Sequence, residues 1–211
     1  CTNPSDQSTP AITTDQSGGA IVAFSDWRSG VERDVYAQRV DSLGVIQWTV
    51  DGVGVDNKTE REHNEKITSD DAGGAIVVWE QQSFTTGEWD IWAQRIDHNG
   101  NAMWPIGGIP VCTVTANRLN PKIQKDGKHG VYVAWQDLRS GIDYDVYAQR
   151  ISASGNLLWG GGGALVSGAA YGQLDTKVDP DSVSGGIYVA WIDKRNGVDY
   201  DIYAQRIDSM G

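Results

Sequence analysis

DVYAQRV begins at Asp34, DIWAQRI at Asp90, DVYAQRI at Asp145 and DIYAQRI at Asp201, so one heptapeptide returns after 56, 55 and 56 residues. A fixed period of this length marks stacked supersecondary units, and it decides the fold before other features are weighed. The flanking segments keep the same phase. Upstream, an apolar run follows a turn and ends in an aromatic: GGAIVAF at Phe24, GGAIVVW at Trp79, HGVYVAW at Trp135 and GGIYVAW at Trp191. Downstream, a turn glycine recurs at Gly44, Gly100, Gly155 and Gly211, and Trp48, Trp104 and Trp159 each follow the first three of these by four residues.

Turn signals divide each unit into four strands. In the first copy the spacing predicts a short strand around Ala11 to Thr14, a second through Gly19 to Ser25, a third over Arg33 to Asp41, and a weak fourth from Trp48 to Val55. The copies run over 10–64, 65–120, 121–175 and, incomplete, 176–211, while 1–9 read as the tail of a preceding unit. Four strands at a fixed period are the pattern of a β-propeller blade, whose sheet buries its faces against its neighbours. The fold expected is therefore all-β, a propeller of four-stranded antiparallel blades and part of a longer array. A β-solenoid is the alternative, but its coils are shorter and lack tight hairpins with a charged turn. Cys1 and Cys112 each stand nine residues before a proline, Pro10 and Pro121, and so share one repeat position. Two blades apart, they are too distant for a disulfide. A lipidated N-terminal cysteine is the rival reading of Cys1.

Composition agrees with strands and tight turns. The 211 residues include 26 glycines and 9 tryptophans, and the apolar runs AIVAF and AIVVW fall far short of the roughly twenty residues that cross a bilayer. No charged-then-apolar leader opens the chain, so an export signal would have been removed or would lie outside it. A net charge of −11 with scattered Lys and Arg argues against nucleic acid and anionic lipid as partners.

Residues that recur once per blade read as architecture, because catalysis needs an asymmetric set of groups. Three copies carry Asp-x-Arg after the aromatic, namely Asp26 with Arg28, Asp137 with Arg139 and Asp193 with Arg195; the second copy reads EQQSFTTGEW instead. Each Asp is expected to bind turn amides. Each Arg is expected to pair with a carboxylate, such as Asp34, Asp90, Asp145 or Asp201 at the head of the AQR strand. Gln38-Arg39, Gln94-Arg95, Gln149-Arg150 and Gln205-Arg206 are expected to hydrogen-bond between blades across a small alanine. Phe24, Trp79, Trp135 and Trp191 read as blade-packing aromatics.

Known catalytic signatures are missing: the sequence has no GxSxG, HExxH or Walker loop, and the GGGG at 160–163 lacks the Lys-Ser/Thr that a phosphate loop requires. His63, His98 and His129 are scattered, so neither a metal nor a cofactor is called for. Ca²⁺ has candidate oxygen ligands in Asp143, Asp145, Asp179, Asp181, Asp199 and Asp201, although no Ca²⁺ loop is matched. Asn57-Lys58-Thr59 is a glycosylation sequon in a polar linker.

The consensus GGAIVAWxDxR, DIYAQRID, GxxxW and GxxVC, here GGAIVVW, DIWAQRI, GNAMW and GIPVC, resembles repeats of large secreted bacterial surface proteins of propeller type. That resemblance covers essentially the whole chain and implies an extracellular, non-enzymatic adhesion or scaffold role, with no binding residues to carry over. SDDAGG at Ser69 to Gly74 is partly similar to the sialidase Asp-box, but Trp79 follows too late for that motif, and sialidase chemistry does not transfer.

The function these observations favour is a non-catalytic cell-surface binding and structural module. Its partner would be a protein or a glycan, and self-association is compatible with it. The binding site is expected where the repeat breaks, at Phe84, Trp89 and Trp92 of the second copy. A glycoside hydrolase or lyase with its site over the propeller channel is the alternative. For that role the first strands supply Lys66, Lys122, Lys177 and Asp179, a set too basic and too sparse in carboxylates for the paired acids of glycoside cleavage. A filament or sheath subunit is a third reading.

Overall fold

The computed structural model describes residues 1–56 and 58–211, and the secondary structure among them is strand and turn. No helix of the described residues is long and apolar enough to cross a membrane. Asn57 of the sequon lies outside the described residues.

Four antiparallel sheets follow one another along the chain. The first holds β1 (Gln7–Thr14), β2 (Ala20–Asp26), β3 (Asp34–Val40) and β4 (Val53–Gly54). The second holds β5 (Arg61–Ser69), β6 (Ala75–Gln82), β7 (Trp89–Ile96) and β8 (Ile109–Pro110). The third holds β9 (Arg118–Lys125), β10 (Val131–Asp137), β11 (Asp145–Ile151) and β12 (Ala164–Ser167), and the fourth holds β13 (Gln173–Pro180), β14 (Ile187–Asp193) and β15 (Asp201–Ile207). Strand order within each sheet is sequence order, and β1, β5, β9 and β13 pack side by side as the innermost strands.

The strands differ from the sequence expectation at both edges of the blade. β1 begins at Gln7 rather than near Ala11, because the chain continues to pair with β2 past a bulge. The fourth strand is two residues long in the first two blades. Trp48 is not in it, since the indole is needed elsewhere.

Alternating side chains explain why residues 75–79 of β6 and 131–135 of β10 are apolar without interruption. Val77 and Trp79 face the first blade with Ile21, Ala23, Val35 and Ala37, while Ile76 and Val78 face the third with Val131, Val133 and Trp135. A strand covered on both faces shows no polar alternation. Trp79, Trp135 and Trp191 are buried in these inter-blade cores, whereas Phe24, expected to pack between blades with them, is buried outside the cores and lines a pocket with Cys1, Gln7 and Val22.

Neighbouring blades are joined by a recurring clamp. The indole N–H of Trp48 donates to the His98 carbonyl at 3.0 Å, that of Trp104 to Ala153 at 3.1 Å and that of Trp159 to Ser209 at 3.3 Å, each acceptor lying in the next blade's hairpin turn. Arg39, Arg95 and Arg150 donate to the same three carbonyls at 3.1, 3.1 and 3.3 Å. Each guanidinium is held by the β1–β2-type turn of its own blade, through Asp15, Asp70 and Asp126 at 2.9, 2.8 and 2.9 Å. Arg206 pairs with Asp181 in the same manner. The turn glycine is required where it lies over the indole: a Cβ on Gly100, Gly155 or Gly211 would come within 2.8–3.0 Å of Trp48, Trp104 or Trp159. In the AQR motif, then, the Arg spans blades while the Gln works within its own. Gln38 accepts from the Arg39 and Trp48 amides and donates to the Thr49 carbonyl, and so sets the loop that carries the tryptophan.

Trp104→Ala is expected to cost about 3–5 kcal/mol in urea unfolding, as truncation of a buried aromatic does. Gly155→Ala is expected to lose more stability than Gly141→Ala. Both have left-handed backbone, at φ +85° and +73°, but a Cβ on Gly141 meets nothing within 4 Å. Equal losses would remove the indole–glycine contact from the account.

Candidate functional site

The innermost strands share a feature invisible in the motif alignment. In each, one residue is left-handed: Thr9 at φ 50°, Asn64 at 57°, Asn120 at 56° and Asp175 at 47°. Each falls within a register shift against the second strand, so it is the extra residue of a β-bulge. Asn and Asp tolerate this backbone, whereas β-branched Thr9 is strained there. Because β1, β5, β9 and β13 pack in turn, their bulged starts lie at one mouth of the propeller axis.

The second copy fills this mouth with groups that the other copies lack. Glu65 stands where the first and third copies have Pro10 and Pro121, and Glu80 where they have Ser25 and Gln136. Glu65 is buried and reaches into the first blade, accepting from Thr9 Oγ1 at 2.6 Å, Ser25 N at 3.0 Å and Ser25 Oγ at 2.9 Å. Glu80, also buried, accepts from Asn64 Nδ2 and from the Asn120 amide of the third blade, both at 2.6 Å. Its other oxygen lies 3.2 Å from His63 Nδ1. The imidazole stacks on Trp89 with centroids 4.4 Å apart, and the Trp89 amide donates to Asn117 Oδ1 of the third blade at 2.9 Å. From the fourth blade comes Asp175, an exposed carboxylate held below the usual range chiefly by its hydrogen bond from Lys177. Lys122 lies within electrostatic reach of both Glu80 and Asp175. Burial lowers Lys66 and Lys122 from the usual ammonium range, and in Lys122 the charges of Lys66 and Lys177 add to it. The His63 Nδ1 makes no hydrogen bond among the described residues, so an imidazole beside a buried carboxylate, an ionised exposed carboxylate and an ammonium group are the elements present for proton transfer beside an anionic or polyhydroxylated ligand.

The repeated Asp-x-Arg residues lie apart from this mouth and form closed structural units. Arg28, Arg139 and Arg195 each pair at 2.6 Å with the Asp two residues earlier, Asp26, Asp137 and Asp193, rather than with Asp34, Asp145 or Asp201 as expected. Each guanidinium lies 3.6–3.7 Å above the ring of Tyr36, Tyr147 or Tyr203. A turn as short as Asp-x-Arg lets the side chain fold straight back on its own aspartate. Cys1 and Cys112 are free thiols beside these units, with Arg28 Nη2 3.5 Å and Arg139 Nη2 3.4 Å from their sulfurs. Trp135 and Trp191 donate to Asp137 and Asp193 at 2.8 Å. In the second copy Gln81 replaces the aspartate, and the Trp79 Nε1 is left without a partner.

Phe84, Trp89 and Trp92 are not brought together. Phe84 is exposed in the β6–β7 turn, whereas Trp89 and Trp92, three residues apart on β7, emerge on opposite faces of the sheet. Trp89 turns to His63 at the axial mouth. Trp92 sits at the repeat position of Tyr36 and Tyr147, with the Lys58 ammonium 2.7 Å above its ring, so Lys58 supplies from the linker the cation that Arg28 and Arg139 supply elsewhere. Among the acidic loop residues, Asp181 is tied to Arg206 and Asp199 accepts from Asn196. Among the described residues no three His, Cys, Asp or Glu side chains are placed to hold a metal.

One acidic cluster lies between the first two blades. Glu62 is fully buried, accepts from the Val35 amide at 3.2 Å and is pushed up to about 10 by burial first and by Asp56 second. Asp34 nearby is also raised, by burial and then by Asp56. The third copy has Arg118 at this position, where it pairs with Asp90 and with Asp137. Glu62 therefore carries its proton at neutral pH.

No protein-family model and no curated protein matches the sequence. Solved structures do match its architecture. An endo-arabinase from Bacteroides thetaiotaomicron aligns over 94% of this chain and 74% of its own at 13% identity, with a TM-score of 0.51. A Hadza microbial sialidase aligns over 97% of this chain and 45% of its own at 14% identity, with a TM-score of 0.59. A protein of unknown function from Dyadobacter fermentans aligns over 96% of this chain and 61% of its own at 9% identity, with a TM-score of 0.56. This chain thus spans about three quarters of the endo-arabinase and less than half of the sialidase. The fold is a β-propeller. At these identities the likeness shows the fold alone. The expectation of a non-catalytic binding and structural module is corrected against these structures, two of which are enzymes, an endo-arabinase and a sialidase.

Glu62 sets a pH dependence with a definite sign. A carboxyl raised from 4.5 to about 10 on folding binds its proton more tightly in the folded state, so its contribution is fully present below about pH 4.5 and is lost as pH rises toward 10. Glu62→Gln is expected to flatten the fall in unfolding free energy between about pH 5 and about pH 9, measured by urea titration. A variant with the wild-type slope would place the acidic cluster in water.

Proposed function

We propose that this chain forms the propeller of a carbohydrate-cleaving enzyme, of glycoside hydrolase or lyase type, with its reaction centre at the axial mouth. The observation that carries the reading is a convergence. The second copy's departures from the repeat, His63, Glu65 and Glu80, lie with Trp89 on one side of Lys122 and Asp175 of the fourth copy on the other, Lys122 sensing the charges of both Glu80 and Asp175, in an architecture shared with an endo-arabinase and a sialidase. Repeated side chains close on one another and are spent on structure. The departures supply the asymmetry that chemistry requires.

Roles follow from the surroundings. Asp175, exposed and ionised beside Lys177, is the base or nucleophile. His63, stacked on Trp89 with its Nδ1 3.2 Å from Glu80, moves the proton. Glu65 and Glu80 hold the first, second and third blades in register around the mouth, which makes them positioning residues. The resemblance of the repeat to secreted surface proteins supports an extracellular location with a glycan as partner.

Release of reducing ends from a panel of arabinans, pectic polysaccharides and sialylated glycans tests the proposal. Cleavage of at least one is expected. Asp175→Asn and His63→Gln are each expected to slow it by about 10²–10⁴-fold, the usual contribution of a positioned acid or base, with an unchanged melting temperature. No cleavage across the panel, or wild-type rates in both variants, would overturn it.

A further inference from the structure

We propose that the axial channel is a subsite for an anionic sugar, one bearing a carboxylate or a sulfate ester; this substrate class deepens the reading above and rests on it. A cavity of about 280 Å³ runs between the four innermost strands, and Lys66, Lys122 and Lys177, which share one repeat position, all line it. Ala11 holds that position in the first blade and leaves that side of the channel without a long side chain.

Three ammonium groups gathered in one cavity form a local positive patch on a chain of net charge −11, and such a patch attracts an anion. Two of the three are engaged. Lys66 donates to the Asn64 and Glu65 carbonyls, each at 3.1 Å, and to the Asn64 side chain, while Lys177 pairs with Asp175. Lys122 lies between them and makes no hydrogen bond or ion pair among the described residues. Burial first, and then its two cationic neighbours, weaken its hold on the proton against the opposing charges of Asp175 and Glu80, neither of which pairs with it directly. Gln124 adds an amide to the wall.

The next repeat position selects for a sugar over a small inorganic anion. Ile12, Ile67, Ile123 and Val178 also line the cavity, so an apolar collar adjoins the charged one. A ligand that suits both has C–H faces and an anionic substituent, which describes a uronic acid or a sulfated pyranose. The volume admits about one such residue. Extended polyphosphates such as nucleic acid are disfavoured by the acidic remainder of the protein.

Calorimetric titration of the protein with oligogalacturonate, a heparin-derived oligosaccharide and a neutral arabino-oligosaccharide tests the inference. Binding of one or both acidic ligands is expected, weakening with salt, with the neutral one at least about tenfold weaker. Oligogalacturonate presents carboxylate alone and the heparin-derived ligand both carboxylate and sulfate, so binding of the second without the first assigns the subsite to sulfate. Lys122→Gln is expected to weaken acidic binding by about tenfold or more, and Lys122→Arg to retain most of it, with both variants melting as wild type. Neutral binding equal to acidic, or an unaltered Lys122→Gln, overturns the subsite. Cleavage of a neutral glycan with no acidic binding would sink the lysine site and leave the enzyme reading standing. Lysine-dependent acidic binding without cleavage of any glycan would do the reverse.

Discussion

Each junction in this molecule depends on one carbonyl oxygen that serves two donors from the neighbouring blade, an indole and a guanidinium. The carbonyls of His98, Ala153 and Ser209 play this part in turn, and each lies in a hairpin turn whose glycine lets the indole slide beneath it. A turn carbonyl at a sheet edge would otherwise face water or be buried without a partner, and burial without a partner is costly. The clamp therefore requires three features together: a Gly at the turn, a Trp four residues later, and an Arg on the third strand fixed by the Asp of its own turn. This is why Gly, Trp and AQR keep the same phase along the chain.

Because the clamps and the Asp-Arg-Tyr units close on themselves, the repeated charged residues have little capacity left for ligands. Chemistry falls to positions where a copy departs from the pattern. The departures of the second copy have two fates. Some restore the repeat by other means, as Lys58 does over Trp92. Others, at His63, Glu65 and Glu80, lie at the axial mouth, where Trp89, at a position that is tyrosine in the third and fourth copies, stacks on His63. Glu62 belongs to neither group. It is a buried acid where the third copy has Arg118, and its proton is what makes the burial tolerable.

The architecture was legible in the sequence because it is written several times over. The heptapeptide period, the aromatic at the end of the second strand and the burial of Phe24, Trp79, Trp135 and Trp191 all follow from repetition. Partner choice was less legible. Nothing in Asp26-Trp27-Arg28 says that the arginine folds back on Asp26 rather than reaching Asp34, since that depends on the turn's shape. Trp89 and Trp92 look like one aromatic cluster in EWDIW, but strand alternation puts three-residue neighbours on opposite faces. The bulges left no motif at all. The acids of the mouth were legible in principle, since Glu65 and Glu80 stand out once the copies are aligned by position. The recurring residues alone point to a non-catalytic module, the reading that the endo-arabinase and the sialidase of like architecture correct.

The central claim is a division of labour, in which residues that recur hold blades together and residues that depart from the repeat meet the ligand. The indole N–H region of a ¹⁵N spectrum reads both halves at once when oligogalacturonate is added to the protein. The account expects the Trp48, Trp104 and Trp159 indoles to exchange slowly and to keep their positions, while the Trp89 indole moves. Shifts or rapid exchange at the three clamp tryptophans, with Trp89 unmoved, would contradict it.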